Sequence, residues 1–411
     1  MNMKMLCACG GKPLCIILFA AILFSIGQSD GYCFQASETS RSSLISTSLL
    51  QYFNYSDYTR VDGAFVGVFL PVLNRNFLFP KLTASIGYGF TSEVLQSRIA
   101  LEHTLGKLRR QSIYFSVFNE TASYDDPISK VENILGALLF NKDYRDYYKI
   151  YGTEGRYSQK FGNIFSFSLK ARYREYTQLT GREPWSLFYR DRRFRLNPPI
   201  PEGTEVLFSV GLMFDNRETI FIEANSWFAE LVAEREVRDY TFTGVNFAVR
   251  RIQLGCGNQT LIVNCRGNFR NGTAAEQYMF DSGGVGTLRG YNFKEYTGNN
   301  RLLLSADYLF NGDFVPPKLL KSVPIISSLS VGLFADMGLV WFSDAAQREL
   351  KTGSGMLLPE TGSRLRDVKT DAGVSLLAFG KLLRIDIAKR LDKRYKDTDF
   401  IWYLRLQPLQ K

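Results

Sequence analysis

Histidine is nearly missing from this chain. His103 stands alone among 411 residues. That excludes a zinc site built on several imidazoles and leaves His-dependent catalysis one candidate. Long hydrophobic runs are also missing: past the extreme N-terminus no stretch of about 18 to 20 unbroken apolar residues occurs, so the mature chain is not a bundle of membrane helices. Neither disorder nor collagen fits a chain that is 45% hydrophobic and 14% aromatic. The length allows two or three domains, or one long all-β barrel. What remains is a β-rich globular protein or a membrane barrel.

The N-terminus assigns the compartment. Lys4 and Lys12 precede an apolar run from Leu14 to Ile26, closed by Ser25-Ile26-Gly27. This is the layout of a secretory signal peptide over residues 1–27, too short for a bilayer span. Ser29-Asp30-Gly31 is a second candidate cleavage site. Cys7, Cys9 and Cys15 leave with the signal, as do two lysines. The formal charge of the mature chain is therefore 48 minus 40, or +8. Cys256 and Cys265 flank a hairpin-like segment and could close a small disulfide loop in an oxidising compartment; two free thiols are the alternative. Cys33 is left odd either way.

Residues 28–60, rich in Ser, Thr and Gln, read as a short irregular or plug-like lead-in, and 61–411 as the main domain. From Val61 the dominant signal has period two. In Ile164–Tyr176 the odd positions are Phe165, Phe167, Leu169, Ala171 and Tyr173; the even ones are Ser166, Ser168, Lys170, Arg172 and Arg174. One face is apolar and the other hydrated or cationic. A membrane barrel turns the first to lipid and the second to its lumen, whereas a soluble sandwich would bury the first against a second sheet.

Such runs predict strands near 61–70, 82–91, 94–105, 111–119, 131–141, 144–160, 163–176, 204–215, 220–232, 238–254, 260–281, 301–310, 328–342, 370–379, 381–390 and 399–407. Sixteen is even, as a closed antiparallel barrel with both termini in the periplasm requires. Links after even strands should be short and periplasmic, and Phe90–Val94, Lys160–Asn163, Asp215–Thr219 and Phe379–Lys381 are short. Thr177–Gly203, Ser282–Asn300 and Ser343–Lys369 supply long outer loops, and Asn311–Ser327 is the exception. The expected fold is all-β, a sixteen-stranded antiparallel transmembrane barrel.

Three segments are more specific than alternation. Gly283-Gly284-Val285-Gly286-Thr287-Leu288-Arg289-Gly290-Tyr291 lies between the eleventh and twelfth predicted strands. Phe334-Ala335-Asp336-Met337-Gly338 lies on the thirteenth, and Asp215-Asn216-Arg217-Glu218 follows the eighth. By alternation Asp307 and Asp336 both face the interior, where two carboxylates need a cation. Arginine can engage them through its planar fork. The glycines let the loop turn sharply and approach the wall, and Gly332 and Gly338 clear the inner surface.

These segments resemble the BamA- and TamA-like bacterial surface antigen superfamily of outer-membrane barrels. Its signature is a Val-Arg-Gly-Phe/Tyr tip on the sixth outer loop, folded back into the lumen against a Phe-x-Asp-x-Gly segment of strand thirteen. Leu288-Arg289-Gly290-Tyr291 and Phe334–Gly338 match it position by position, with Leu for Val. Ser305-Ala306-Asp307-Tyr308 sits where the family usually has an acidic residue. The resemblance implies a loop-six latch of Arg289, Gly290, Tyr291, Asp307, Asp336 and Gly338. It also implies a role in assembly, insertion or translocation of proteins or other macromolecules. Two departures are plain. Residues 28–60 are too few for even one periplasmic POTRA domain, so a member without them is expected. The chain also ends Leu406-Gln407-Pro408-Leu409-Gln410-Lys411 instead of on an aromatic residue.

Other groups are weighed against simpler roles. Arg190-Asp191-Arg192-Arg193-Phe194-Arg195 could clasp lipopolysaccharide phosphates, although a solvated loop accounts for it as well. Asp143–Tyr148 resembles an aromatic girdle at the membrane interface. His103 ends the third predicted strand, outward and near the outer leaflet, without a serine beside it. The chain is therefore expected not to be an enzyme and to need no cofactor or metal. Nucleic acid is excluded as a partner by export and by charges that alternate into a lumen. Expected partners are outer-membrane lipids and lipopolysaccharide, with client or periplasmic proteins, at the bacterial outer membrane. The alternatives are a passive transport barrel for small solutes and, further off, a lipid-modifying enzyme.

Overall fold

The computed structural model describes residues 55–406, apart from 73–79, 107–109, 124, 126–127, 181–184, 190–193, 218–224, 256–258, 274, 311–328, 354–367, 379–382 and 393–398. The expected signal peptide, 1–27, and nearly all of the expected lead-in, 28–60, lie outside the described residues.

Sixteen strands build one antiparallel sheet in sequential order. They are β1 (Tyr55–Thr59), β2 (Gly63–Val72), β3 (Lys81–Gly89), β4 (Val94–Leu105), β5 (Gln111–Ala122), β6 (Tyr148–Phe161), β7 (Phe165–Gln178) and β8 (Gly203–Asp215). The second half is β9 (Ser226–Glu236), β10 (Phe242–Leu254), β11 (Gln259–Gly272), β14 (Asn300–Phe310), β15 (Ser330–Trp341), β16 (Lys369–Ala378), β17 (Leu383–Arg390) and β18 (Ile401–Leu406). Between β11 and β14 the chain makes a small separate hairpin, β12 (Phe280–Ser282) with β13 (Tyr296–Gly298). No described helix is long and apolar enough to cross a membrane.

The alternation translates directly into two faces of one wall. On β8, Phe208, Val210 and Leu212 are exposed, while Glu205, Leu207 and Ser209 between them are buried. β4, β5 and β9 likewise carry Ile99, Phe115 and Leu231 outward. A surface this apolar is unfavourable in water but at home in hydrocarbon. The fold is a sixteen-stranded antiparallel β-barrel.

Two errors in the expected strands cancel in the count. β1 falls inside the predicted lead-in, so the barrel begins before residue 61. The expected fifth strand, 131–141, is instead an α-helix over Lys130–Phe140. Its apolar residues Val131, Ile134, Leu135, Leu138 and Leu139 follow the three-and-four spacing of a helix face, not period two. Ser129 caps it, accepting from the Glu132 backbone N–H at 3.1 Å. Asn141 ends it in the left-handed region at φ 58°.

The missed strand also shifts parity for everything before the helix. The Gly89–Val94 turn lies at the end that carries the long loops, not at the end that carries the chain termini. His103 faces outward, opposite Ile113, but near the termini end of β4. From β6 onward the expected parity stands, with tight turns such as Phe161–Phe165 at the termini end and Gly162 at φ 66°.

Candidate functional site: loop six inside the barrel

The sixth connection at the loop end joins β11 to β14 and turns into the lumen. It touches the wall at several places. A 3₁₀ turn, Glu276–Tyr278, brings the Tyr278 ring against Tyr176, Tyr240 and Phe242. The Tyr278 hydroxyl donates to Glu205 on β8. Glu205 is fully buried and also accepts two bonds from Arg172, at 2.6 and 3.0 Å, and one from Tyr176 at 3.0 Å. A buried carboxylate so fully bonded is held in place, and it fixes the start of the loop.

The loop then reverses. Gly283, Gly284 and Gly286 have φ of 115°, 88° and 83°, a backbone that side-chain-bearing residues rarely adopt. The turn is tied by the Gly284 N–H to the Leu288 carbonyl at 2.8 Å. The tip that follows is buried: Leu288 and Tyr291 are both 0% exposed.

Arg289 reaches the β14–β17 wall from this tip. Its Nε and Nη2 form a fork on Asp336, at 2.7 and 2.8 Å, and Nη1 donates to Asp307 at 2.9 Å. The guanidinium lies 3.5 Å from the centre of the Phe334 ring. Arg384 completes the cluster, bonding Asp307, Ser375 at 2.8 Å and Asp386 at 2.7 Å. Gly290 is tight: a Cβ there would lie 2.6 Å from the Asp371 Cβ and 3.0 Å from the Arg390 nitrogen. Gly338 makes room for Leu288, whose methyls a Cβ would meet at 3.1 Å. The cleared space at Gly332 faces Leu309 and Ser375, not the loop. The Tyr291 hydroxyl donates to the Thr370 carbonyl at 3.1 Å and accepts from its N–H at 3.0 Å.

The structure thus brings Arg289, Asp307 and Asp336 into direct contact, and Gly290, Tyr291 and Gly338 into the same interface. Sequence reasoning missed Arg384, Asp386 and Asp371. Alternation on β17 already pointed Arg384 and Asp386 inward, and the register with β16 seen in the sheet places them here. Asp371 lies directly across the ladder from Asp336. It is fully buried, and among the described residues no side-chain cation forms an ion pair with it. The cluster therefore holds more carboxylates than cations.

A second set of charges ties loop six to loop three, residues 123–147. Lys294, at φ 54°, sits among Asp125 and Asp281, both 2.8 Å away, and Asp146. These three carboxylates have the closeness of a cation site, and the lysine ammonium occupies its centre. Burial alone would lower the Lys294 ammonium, but the three carboxylates outweigh it and raise it. Burial would raise Asp146, but the charges of Lys294, Arg195 and Arg60 hold it below the usual carboxylate range.

Other expectations fare differently. Tyr147 and Tyr148 are buried inside the loop network and do not form a girdle. The Tyr147 hydroxyl bonds Asn133 and Asp143, because the turn after the helix folds inward. Arg190, Arg192 and Arg193 lie outside the described residues. Arg195 is turned inward to Asp146 and to the carbonyls of Asp143 and Arg145. Cys265 is free, while Cys256 lies outside the described residues. Asp215 pairs with Arg217 at 2.6 Å in the turn after β8.

Comparison with known proteins places the fold. A model of the C-terminal domain of a family of unknown function (DUF5686) matches residues 29–215, somewhat under half of the chain. No curated protein matches the sequence. Among solved structures the chain is similar to BamA from Haemophilus ducreyi lacking POTRA domains 1–3. The identity is 12% and the TM-score 0.56, over 85% of this chain and 69% of that one. CdiB from Acinetobacter baumannii matches at 12% identity and TM-score 0.44, over 83% and 55% of the two chains. CdiB from Escherichia coli matches at 12% and 0.41, over 85% and 60%. At such identity the BamA likeness shows the fold alone, and the weaker CdiB overlaps add no argument.

Proposed function

We propose that this chain is an outer-membrane barrel that assembles, inserts or translocates a protein or other macromolecular client. The observation that carries the reading is loop six: it crosses the lumen, is anchored at Glu205 and at Arg289, and fills the barrel with buried side chains. A pore built for steady passage of small solutes has no use for a deep buried clamp across its bore. A scaffold that must hold one conformation while a client passes its edge does. The outward apolar faces, and an N-terminus with the pattern expected of an export signal, support placement in the bacterial outer membrane, in contact with its lipids.

Depletion of the protein from its host tests the proposal. The steady-state level of other outer-membrane barrels or surface-exported proteins should fall before growth does. Unchanged levels, together with a large constant single-channel conductance of the purified barrel, would overturn this reading in favour of solute transport.

A further inference from the structure

The outer face of β9 and β10 carries an arginine at each end of an apolar stretch. Val245 on β10 is exposed, and alternation puts Thr243, Phe247, Val249 and Arg251 on its side of the wall. The register pairs Val245 with Ala233, Phe247 with Leu231 and Val249 with Ala229, all apolar. The pairs that bracket them are Thr243 with Arg235 at the loop end and Arg251 with Trp227 at the termini end. Thr243 and Arg251 are eight residues apart. That is about 27 Å along a strand and about 21 Å of depth at a barrel's usual tilt. A lipid-facing band is about 25 Å tall, so each bracketing pair stands at the level of one layer of headgroups.

The two arginines are held differently. Arg235 is exposed and donates to Thr243 Oγ1 at 3.1 Å. Arg251 is half-buried, with its guanidinium carbon 4.9 Å from the centre of the Trp227 ring, and its Nη2 donates to Gln253 Oε1. The ring's own strand is pinned below it, where the Trp227 N–H donates to Asn216 Oδ1 at 2.6 Å. Gln253 stands in the next outward row, opposite Leu261, which in turn opposes Tyr308 on β14. The Tyr308 hydroxyl donates to Gln259. Rings with polar partners in one row mark the boundary between hydrocarbon and water. A guanidinium stacked on one such ring and tied to an amide is a planar donor set before any ligand arrives.

We infer that Arg251, Trp227 and Gln253 form a site for the phosphate of a glycerophospholipid in the leaflet at the termini end. The planar fork of an arginine matches a phosphate through paired, charge-assisted hydrogen bonds. The acyl chains of the same lipid continue along Val249, Phe247 and Leu231, so one molecule satisfies both the charge and the apolar stretch above it. The leaflet follows from the outer-membrane placement proposed above, which puts the termini and Arg251 on the periplasmic side, where phospholipids lie. Lipopolysaccharide belongs to the opposite leaflet, at the level of Arg235. The site does not depend on the assembly reading or on any client.

Native mass spectrometry of the full chain in dodecyl maltoside micelles, titrated with dimyristoyl phosphatidylglycerol, tests it. The parent should hold one phosphatidylglycerol ahead of all others. Arg251→Gln should weaken that first binding by about tenfold, the worth of a charge-assisted hydrogen bond. A diglucosyl diacylglycerol with the same chains has no phosphate and should bind both forms weakly and equally. Trp227→Leu keeps an apolar residue but removes the ring, and should weaken the first binding by about threefold. Arg235→Gln deletes the same charge at the loop end and should leave the first binding as it is. A neutral amide costs a lipid-facing strand less than a cation does, so Arg251→Gln should fold; if it does not, Trp227→Leu decides alone. Phosphatidylglycerol held equally by parent and Arg251→Gln would overturn the site, as would glycolipid lost in the same proportion. Arg235→Gln as damaging as Arg251→Gln would reduce it to general charge and overturn it too.

Discussion

Arg289→Ala is the most direct perturbation of the lumen. Arg289 is 4% exposed and places one N–H from each of its three guanidinium nitrogens, two in a fork on Asp336 and one on Asp307. After truncation the two carboxylates do not suffer equally. Asp307 keeps Arg384, whereas Asp336 has no second ion pair among the described residues and is 3% exposed. Breaking a buried pair by removing one member typically costs about 3–5 kcal/mol, most of it the stranded charge. For a barrel of this size that is a fall of roughly 4–7 °C in unfolding midpoint. Asp336→Asn removes the charge that truncation strands. The double variant should therefore recover about 2 kcal/mol relative to Arg289→Ala alone. Urea unfolding in lipid vesicles, or the temperature at which the compact form is lost on a gel, reads all four corners of the cycle. Additive single effects would mean that the two side chains do not act as a pair. An Arg289→Ala barrel as stable as the parent would refute the reasoning entirely.

Gly290→Ala should destabilise by about 1–3 kcal/mol, since the new methyl would stand 2.6 Å from Asp371 Cβ and against the β17 backbone; a folded yield and unfolding midpoint equal to the parent's would contradict the close approach. Leu231→Arg places a charge on the outer face and should cost about 2–4 kcal/mol in a bilayer, while Glu230→Arg, the adjacent lumen-facing residue, should cost far less; equal costs in vesicle refolding would mean the faces are misassigned. The Lys294 tie should depend on pH in one direction. Asp146 is held below its unfolded value near about 4, so its contribution is complete above that value and fades as pH falls through the lower folded one. The stability difference between the parent and Lys294→Met should be flat from neutral pH down to about 5 and shrink below about 4. A difference that shrinks on going from pH 5 to 8 would be the wrong sign.

How much of this was legible in the chain depends on the length of each pattern. β7 and β8 carry ten or more alternating positions, and no helix can present such a sequence without splitting its apolar face. β1 was not legible, because Tyr-Ser-Asp-Tyr-Thr is short, polar on both parities, and leans on the loops around it. The Lys130–Phe140 helix could have been read. Ser129 with Glu132 three residues on is a capping pair, and the apolar positions recur at three and four. Counting apolar residues without asking their period turned it into a strand. Within the site, inward parity on β14 and β15 pointed Asp307 and Asp336 at one interior. Arg384 and Asp386 lie on β17, whose register only the assembled sheet reveals. Lys294 was beyond reach, since its partners come from positions 125, 146 and 281 and meet only when two loops fold inward.

The arrangement of these ties bears on what loop six can do. A loop held at one point swings about it, whereas a loop held at Tyr278, Arg289 and Lys294 has no single hinge left. It can move only if at least one tie breaks. The three are not equivalent. Glu205 and Asp336 are almost fully buried, and opening either leaves a charge in a dry place. Lys294 and its three carboxylates are each near a fifth exposed, so water can take over their solvation when they part. The Lys294 tie is therefore the cheapest to release, and it is the one that joins loop six to loop three.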